Sequence, residues 1–343
     1  AQHLLLSFIH VISELSSNSF FPVLQQPIGV GSAFEGWSAR EDDSIYCFLV
    51  PLKPPHGHTF NLELDTAGEM RARNFCIHVE LVCTCTTKQQ MEKMQCLLHQ
   101  PKEHRRQNQA LSLFNTLCTG PYLDVQKTAH WFSQKVEEVW KTWPQWFQYF
   151  VRMLPSDRSC KFQMTKDSEK IFTIEVIFGV QEGDSDIFLS SQMTGATSTP
   201  STTWPESYAV AEVKFFKHMT RQASYNTCHL TCLQVCAYNL VGRSFSTYTI
   251  KTVVMHLMTI IPLSDQRWRD CLLMLLDVMQ YLYCCLAEKR LNHFFFGNDN
   301  VPEEIVLPPY FQMVEPLNLF EYLAQDPHSH AEAQREFMVL RDR

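Results

Sequence analysis

The sequence predicts an α+β protein, in which an α+β lobe is followed by a helical lobe. Runs with strand-like composition are confined to the first part of the chain, between residues 44 and 180. Beyond a run rich in Thr, Ser and Pro at 196–205, the apolar residues follow helical spacing. The 343 residues are 45% hydrophobic and 19% charged, which is typical of a globular chain with room for two cores. We therefore expect a core lobe over 1–204 and a helical lobe over 205–343.

The first lobe is expected to open with an amphipathic helix over 1–17. Its predicted strands lie at 44–51, 58–64, 75–84, 160–164 and 170–180. Asp124 is expected to cap a long helix that runs towards Met153, with Pro144 kinking or dividing it. An acidic turn follows the last strand at 183–186, and the run at 196–205 is expected to be a hinge or crossing loop.

The second lobe is expected to contain helices throughout. The predicted segments are 206–222, 226–240, 246–261, 265–288 and a terminal helix after Ser329. The most apolar of them, 271–287, is interrupted by Asp277 and Gln280 and is shorter than the roughly 20 residues that a bilayer requires. The sequence therefore predicts no membrane span within these residues.

Charge and cysteine content restrict the function classes. A net charge of −7 argues against a nucleic-acid-binding protein, which is normally basic or carries a basic stripe. The chain has 13 cysteines, and several stand inside apolar stretches, where a free thiol behaves as a small core residue. This usage favours a reducing compartment over a disulfide framework.

The segment GVGSAFEGW at 29–37 has the pattern of a phosphate-binding turn. Backbone N–H groups at a Gly-Ser turn after a strand can face a triphosphate. Nucleotidyl transfer then requires two acidic side chains, one residue apart on the next strand, that share Mg²⁺. That strand is SIYCFLV at 44–50 and contains no carboxylate. The turn is present without its metal ligands.

Several segments resemble the Mab branch of the nucleotidyltransferase superfamily, which also contains cyclic GMP-AMP synthase. They are residues 31–36, 245–252, His256 and 292–295. A similarity to the inositol trisphosphate receptor-interacting protein family extends across nearly the whole chain, through 28–32, 96–99, 228–230, 293–295 and 315–320. The resemblance implies a bilobal nucleotidyltransferase-like fold, with a mixed sheet, flanking helices and a C-terminal helical bundle.

The resemblance also implies a degenerate nucleotide cleft, formed by Gly31, Ser32, Asp43, Glu175, Thr247 and Tyr248. Glu175 matches the third acid of active relatives, whereas Glu41, Asp42 and Asp43 precede the strand in a polar turn. Tyr248 is also interpretable as a packed residue of a helix N-terminus. The helix at 232–237 has no lysine where the synthase contacts phosphate. One carboxylate cannot organise two metal ions, so we expect no catalytic residue and no cofactor.

Two cysteine clusters have the residue types of a zinc site. The first comprises Cys83, Cys85, Cys96 and His99, for which packed thiols and a surface histidine are the alternative. The second comprises Cys228, His229, Cys232 and Cys236, where cysteines at every fourth position also fit a buried helix face.

The expected function is that of a catalytically inactive nucleotidyltransferase-like protein that acts as a protein-interaction and signalling-regulatory module. Its expected partner is a membrane receptor or channel, and no nucleic acid is expected. The resemblance implies that full-length relatives carry a membrane segment upstream of this region, and that this region faces the cytosol. The alternative is a nucleotide- or inositol-phosphate-binding sensor, or an active Mg²⁺-dependent nucleotidyltransferase in which Glu41 or Asp43 acts with Glu175.

Overall fold

The structure is a computed structural model with two compact units. It describes residues 1–16, 21–38, 45–65, 73–83, 113–142, 149–166, 169–192, 199–222, 228–240, 244–261 and 270–341. The first unit comprises 1–30, 45–182 and 187–210, and the second comprises 31–44, 183–186 and 211–343. Both units therefore draw on separated stretches of sequence. The division into domains after residue 204 stays a prediction.

The first unit contains a mixed sheet of 12 strands. They are β1 (Val23–Leu24), β2 (Ile28–Val30), β3 (Ile45–Lys53), β4 (His58–Leu64), β5 (Asn74–Leu81), β6 (Cys118–Thr119), β7 (Tyr122–Leu123), β8 (Tyr149–Leu154), β9 (Cys160–Lys166), β10 (Glu169–Gln181), β11 (Phe188–Ser190) and β12 (Thr203–Ser207). The principal order is β1-β3-β10-β11-β12-β5-β7-β6; β2 also pairs with β3, β4 with β5, and β9 with β8 and β10. β3 and β10 pair in parallel and the other paired strands run antiparallel. This mixed sheet with its flanking helices confirms the α+β class.

Helices α1 (Gln2–Ser16), α3 (Leu113–Leu117) and α4 (Val125–Thr142) belong to the same unit. Phe8 of α1 packs against Trp140 of α4 at 6.1 Å between ring centroids and against Phe162 of β9 at 6.0 Å. Phe132 of α4 meets Phe178 of β10 at 5.3 Å. These aromatic contacts form part of the core that joins the helices to the sheet.

Most of the predicted elements of this unit are present, but two predictions are wrong. Asp124 caps α4 as predicted, because its Oδ1 accepts a hydrogen bond from the Lys127 N–H at 3.0 Å. The helix does not continue towards Met153: α4 ends at Thr142, and β8 pairs with β9 along its whole length. The expected crossing loop at 196–205 contains the start of β12, which pairs with β5 and β11. In both places long-range strand pairing overrides the local pattern.

The second unit is mainly helical. Its helices are α2 (Ser32–Glu35), α5 (Ala209–Gln222), α6 (Cys228–Leu240), α7 (Thr247–Ile260), α8 (Cys271–Glu288), α9 (Glu321–Gln325) and α10 (Pro327–Arg341), with a 3₁₀ turn at Pro309–Gln312. The first two residues of α5, Ala209 and Val210, belong to the first unit. Asp270 caps α8 by accepting from the N–H groups of Leu272 and Leu273 at 2.9 and 3.2 Å. The helices predicted in this part of the chain are present, but the stretch between α8 and α9 contains only turns, the 3₁₀ turn and an isolated bridge between Asn292 and Asn318.

Within the described residues, α8 is one helix whose length and composition would allow it to cross a membrane. It has 18 residues, and 28% of it is buried in the protein. A single helix of this kind is weak evidence, because core helices of soluble proteins meet the same criteria. The absence of a span from these residues stays a prediction.

Candidate functional site

The Gly-Ser turn is present in the second unit. Gly31 has φ 78° and ψ −176°, and its carbonyl accepts hydrogen bonds from the N–H groups of Phe34 at 2.9 Å and Glu35 at 3.0 Å. A Cβ added at Gly31 would meet no other atom within 4 Å. The positive φ, rather than crowding, is therefore what favours glycine at this position.

In the first unit, the register of β3 and β10 shows which side chains accompany Glu175. Cys47 is the partner of Glu175, and Ile45 is the partner of Thr173 two residues earlier. Side chains of paired residues point to the same face, and that face repeats every second residue. Ile45, Cys47 and Leu49 therefore occupy the nearest positions on β3 that share a face with Glu175, and none of them is a carboxylate.

Glu175 already has two polar neighbours. Ser159 Oγ donates a hydrogen bond to Glu175 Oε1 at 2.8 Å, and Lys161 Nζ lies 3.6 Å from Oε2. Burial, and secondarily the negative charge of Glu175, raises the pKa of the Cys47 thiol to about 12. The Cys47 thiol is consequently neutral at physiological pH, and the cation beside Glu175 is the Lys161 ammonium.

Two other cleft candidates lie at the start of α7 in the second unit. Thr247 is exposed, whereas Tyr248 is partly buried and its hydroxyl lies 2.5 Å from Nε2 of His293. The Phe295 N–H donates to His293 Nδ1 at 3.3 Å, which places the ring proton on Nε2 and makes it the donor to Tyr248. Burial, followed by the nearby His256, lowers the pKa of His293 to about 3.

The predicted cleft residues are thus distributed between the units. Glu175 belongs to the first unit, and Gly31, Ser32, Thr247 and Tyr248 belong to the second. Asp43 lies outside the described residues, together with Glu41 and Asp42. The assignment of these residues to one nucleotide cleft stays a prediction.

A buried cluster of charges follows the Gly-Ser turn, and sequence reasoning missed it. Lys251 Nζ of α7 lies 3.0 Å from Glu35 Oε1 of α2 and 2.5 Å from Glu212 Oε2 of α5. Trp37 Nε1 donates to the other Glu35 oxygen at 2.5 Å, and its ring lies 5.7 Å from the ammonium. The side chains of Glu35, Glu212 and Lys251 are 0%, 7% and 9% exposed.

Electrostatics explain why these charges are tolerated in the interior. Burial raises the pKa of Glu35, although Lys251 opposes this shift. Burial alone would lower the pKa of Lys251, but Glu212 and Glu35 outweigh it and raise that pKa above its ordinary value. Each buried charge therefore has an opposite partner. The available sequence signal was a lone lysine in the apolar segment TIKTVVM.

The first zinc candidate falls largely outside the described residues. Cys83 is exposed just after β5, and Cys85, Cys96 and His99 are among the residues that the structure does not describe. Across the described ranges, no group of three or more His, Cys, Asp and Glu side chains could hold a metal ion. This candidate stays a prediction.

One cysteine of the second cluster forms a disulfide with a cysteine outside it. Cys228 and Cys271 are joined by a disulfide between the starts of α6 and α8, with their Cα atoms 5.0 Å apart. The expectation of free thiols is therefore wrong for this pair, because two cysteines 43 positions apart are brought together by helix packing. Cys232 and Cys236 are buried, as a helix stripe predicts, and burial raises their pKa values to about 11 and about 12. Nine cysteines in the described ranges, Cys232 and Cys236 among them, are not part of a disulfide.

Comparison with known proteins shows one matching domain family and a group of similarly named relatives. The Mab-21 protein HhH/H2TH-like domain family matches residues 228–334. The inositol 1,4,5-trisphosphate receptor-interacting protein-like 1 of Rattus norvegicus is 33% identical over 342 residues, which cover 95% of this chain and 61% of the relative. The like-1 protein of Mus musculus is 34% identical over 340 residues, with 95% and 61% covered.

A protein with a related name is more distant. The inositol 1,4,5-trisphosphate receptor-interacting protein of Homo sapiens is 29% identical over 317 residues, which cover 85% of this chain and 57% of the relative. The chain spans about three fifths of the length of the curated relatives described here. Its mixed sheet with flanking helices and its Mab-21 match agree with the nucleotidyltransferase-like fold that the resemblance implied. The chain is therefore similar along 95% of its length to inositol 1,4,5-trisphosphate receptor-interacting protein-like 1, and its residues 228–334 match the Mab-21 HhH/H2TH-like domain family.

Proposed function

We propose that this chain is a catalytically inactive nucleotidyltransferase-like protein that acts as a protein-interaction and signalling-regulatory module. The observation that carries the proposal is the set of groups around Glu175. Its register partner on β3 is Cys47, and the cation at 3.6 Å is Lys161. Metal-assisted phosphoryl transfer uses several acidic oxygens to hold metal ions and to balance the charge on the phosphates.

Lys161 makes this inference stronger than a missing carboxylate alone would. Its ammonium already compensates the charge of Glu175, with the two side chains 25% and 20% exposed. A divalent ion at Glu175 would therefore add two further positive charges next to an existing cation. The surroundings of Glu175 disfavour a magnesium ion.

The proposal is tested by thermal melting of the purified chain with Mg²⁺ and ATP or GTP. We expect the melting temperature to stay within about 1 °C of the nucleotide-free value at millimolar concentrations, since a ligand that does not bind the folded state does not stabilise it. We also expect no release of pyrophosphate. A saturable, Mg²⁺-dependent shift that Glu175→Ala abolishes would contradict the proposal and favour the active enzyme.

A second candidate is a sensor that binds a nucleotide or an inositol phosphate without turnover. The observation that favours it is the Gly31 turn, which keeps its positive φ and has open space around the glycine. Here ATP or inositol 1,4,5-trisphosphate is expected to shift the melting temperature without metal dependence.

The active enzyme is a different alternative, in which Glu41 or Asp43 acts with Glu175. In that case the shift in melting temperature requires Mg²⁺ and is lost in Glu41→Ala or Asp43→Ala.

The proposed partner is a membrane receptor or channel. The relatives are named for interaction with the inositol 1,4,5-trisphosphate receptor, and we extend that partner class to this chain. Immobilised chain and detergent-solubilised receptor provide a direct test by biolayer interferometry. Saturable binding is expected, and no response at about 10 μM receptor would overturn this partner, since transient complexes are commonly detectable at micromolar Kd.

The proposed location is the cytosolic side of a membrane, with tethering through a segment outside these residues. Within the described ranges, nine cysteines outside any disulfide support a reducing compartment, whereas the Cys228–Cys271 disulfide is of a kind that is rare there. Protease protection of the full-length protein in sealed membrane vesicles tests the placement. We expect the protease to digest this region only when the cytosolic face of the membrane is exposed. Protection of the region when that face is exposed would contradict the proposed location.

A further inference from the structure

An open cavity of about 640 Å³ lies within the second unit. Its volume is in the range of small-molecule sites in proteins. The lining residues come from α2 and the glycine after it, from α5, from the start of α6 and from the loop before the 3₁₀ turn; they are Phe34, Glu35, Gly36, Lys214, Lys217, Thr220, Arg221, Leu230 and Glu304. No described residue of the predicted nucleotide cleft lines this cavity.

One wall of the cavity is cationic. Lys214, Lys217 and Arg221 are spaced by three and four residues on α5, which places them on one helix face. The positive charge of this helix face is opposite in sign to the net charge of the chain, which is −7.

Two of these three cations are balanced and one is not. Lys214 pairs with Asp186 at 2.7 Å, and Arg221 pairs with Glu304 at 2.6 Å. The Lys217 ammonium is exposed and has no hydrogen-bond or ion-pair partner among the described residues. The remaining acid of the lining, Glu35, is already bonded to Lys251 and Trp37. The cavity therefore has uncompensated positive charge.

Another part of the cavity is apolar. Phe34 and Leu230 supply carbon surface beside the cations. Gly36 has φ 90°, and a Cβ at this position would lie 3.2 Å from Leu230 Cδ1. A side chain at residue 36 would therefore crowd the wall that Leu230 forms. A ligand suited to this cavity has an anionic group and an uncharged body.

We infer that this cavity binds a small phosphorylated organic molecule. Lys217 and Arg221 supply a point charge and a guanidinium fork, Thr220 supplies a hydroxyl, and all three groups are suited to phosphate oxygens. Phe34 and Leu230 contact the carbon body. This inference goes beyond the proposed function, because it concerns a separate set of residues and requires neither metal nor catalysis.

Isothermal titration of the whole chain with glucose 6-phosphate, glucose and inorganic phosphate tests the inference. The phosphorylated sugar is expected to bind with a Kd of about 1 mM or tighter, and glucose alone is not expected to bind. Inorganic phosphate is expected to bind about fivefold or more weakly than the sugar phosphate, since it lacks the body that the apolar wall contacts. Equal binding of the two phosphates would overturn the role of Phe34 and Leu230.

Two variants and a matched control establish the location. Lys217→Glu is expected to weaken glucose 6-phosphate binding about tenfold, whereas the same reversal at the exposed Lys141 of α4 is expected to change it less than twofold. Glu304→Gln is expected to strengthen binding severalfold, because it frees Arg221 from its carboxylate. If Lys217 and Glu304 only stabilised the fold, the two substitutions would not change the affinity for glucose 6-phosphate in opposite directions. No binding to the unmodified chain, or binding that is indifferent to Lys217→Glu, would overturn the inference.

Discussion

Glu35 and Lys251 form a buried ion pair of 3.0 Å although they stand 216 positions apart in the sequence. Glu35 ends the short helix that follows Gly31, and Lys251 lies in the second turn of α7. The pair therefore fixes the Gly-Ser turn to the helical part of its unit. A feature that resembles a phosphate site thus depends, for its position, on a lysine far along the chain.

Replacement of Lys251 tests the importance of this pair. Lys251→Met leaves Glu35 and Glu212 buried without their cation, and we expect a loss of about 3–5 kcal/mol in the free energy of unfolding at pH 7. Urea unfolding measures the change. Lys217→Met, at an exposed lysine without a partner among the described residues, is the control and should change stability by less than about 0.5 kcal/mol. Similar losses in both variants would show that the buried pair contributes nothing specific.

His293 predicts a loss of stability in mild acid. Its folded-state pKa is about 3, against an ordinary value of 6.5, because burial disfavours the charged ring. Its neutral form therefore contributes fully above pH 6.5, and the contribution falls by about 1.4 kcal/mol per pH unit as pH falls towards 3. Urea unfolding between pH 6 and pH 4.5 should show a shallower decline for His293→Gln than for the unmodified chain.

The exposed His10 of α1 supplies the comparison for that experiment. His10→Gln should leave the pH dependence parallel to that of the unmodified chain, since its side chain is 73% exposed. If His293→Gln gives the same parallel curve, burial of the neutral imidazole is not the cause of the acid sensitivity.

The positive φ of Gly31 gives a third prediction. Gly31→Ala should cost about 1–3 kcal/mol, because an L side chain is strained at φ 78° even though the space is open. Ser32→Ala changes the next residue without this strain and should stay within about 0.5 kcal/mol. Thermal and urea unfolding measure the stability of both variants. Equal losses in the two would show that the positive φ of Gly31 is not the cause of the lost stability.

The cysteines should differ in reactivity according to burial. Cys83 is exposed and should react with iodoacetamide within minutes at pH 8 in the native protein. Burial raises the pKa values of Cys47 and Cys118 to about 12, and these thiols should stay unmodified under the same conditions. Peptide mass spectrometry after timed labelling measures the order. Rapid labelling of Cys47 would contradict its half-buried position and raised pKa beside Glu175.

The same mapping tests the disulfide. Without reductant, Cys228 and Cys271 should appear as one linked pair, and after dithiothreitol and unfolding both should be labelled. Labelling of both residues in unreduced, unfolded protein would show that they are thiols in solution.

Much of the fold was predictable because it depends on local patterns. The helix over the first residues, the strands β3, β4, β9 and β10, and the helices from α5 to α8 appear where apolar spacing placed them. The cap at Asp124 was predictable for the same reason, since a capping side chain bonds to an N–H three residues later. The Gly31 turn also follows from its own residues.

Local patterns failed where a distant partner decides the structure. The segment that forms β8 was expected to continue a helix, and its pairing with β9 makes it a strand. The disulfide depends on the approach of two helix starts, which spacing along the sequence cannot specify. The pairing of Glu175 with Cys47 and Lys161 likewise follows from strand register.

The sequence by itself determined the α+β class, the sites of most helices and strands, and the absence of acidic residues from the strand after the Gly-Ser turn. Only the tertiary structure decided that Lys251 is buried between Glu35 and Glu212, that Lys161 accompanies Glu175, and that four residues of α5 line a cavity. The physical reason is that periodicity and capping act over a few residues. Burial and charge pairing are properties of neighbours in space, and these neighbours lie far apart along the chain.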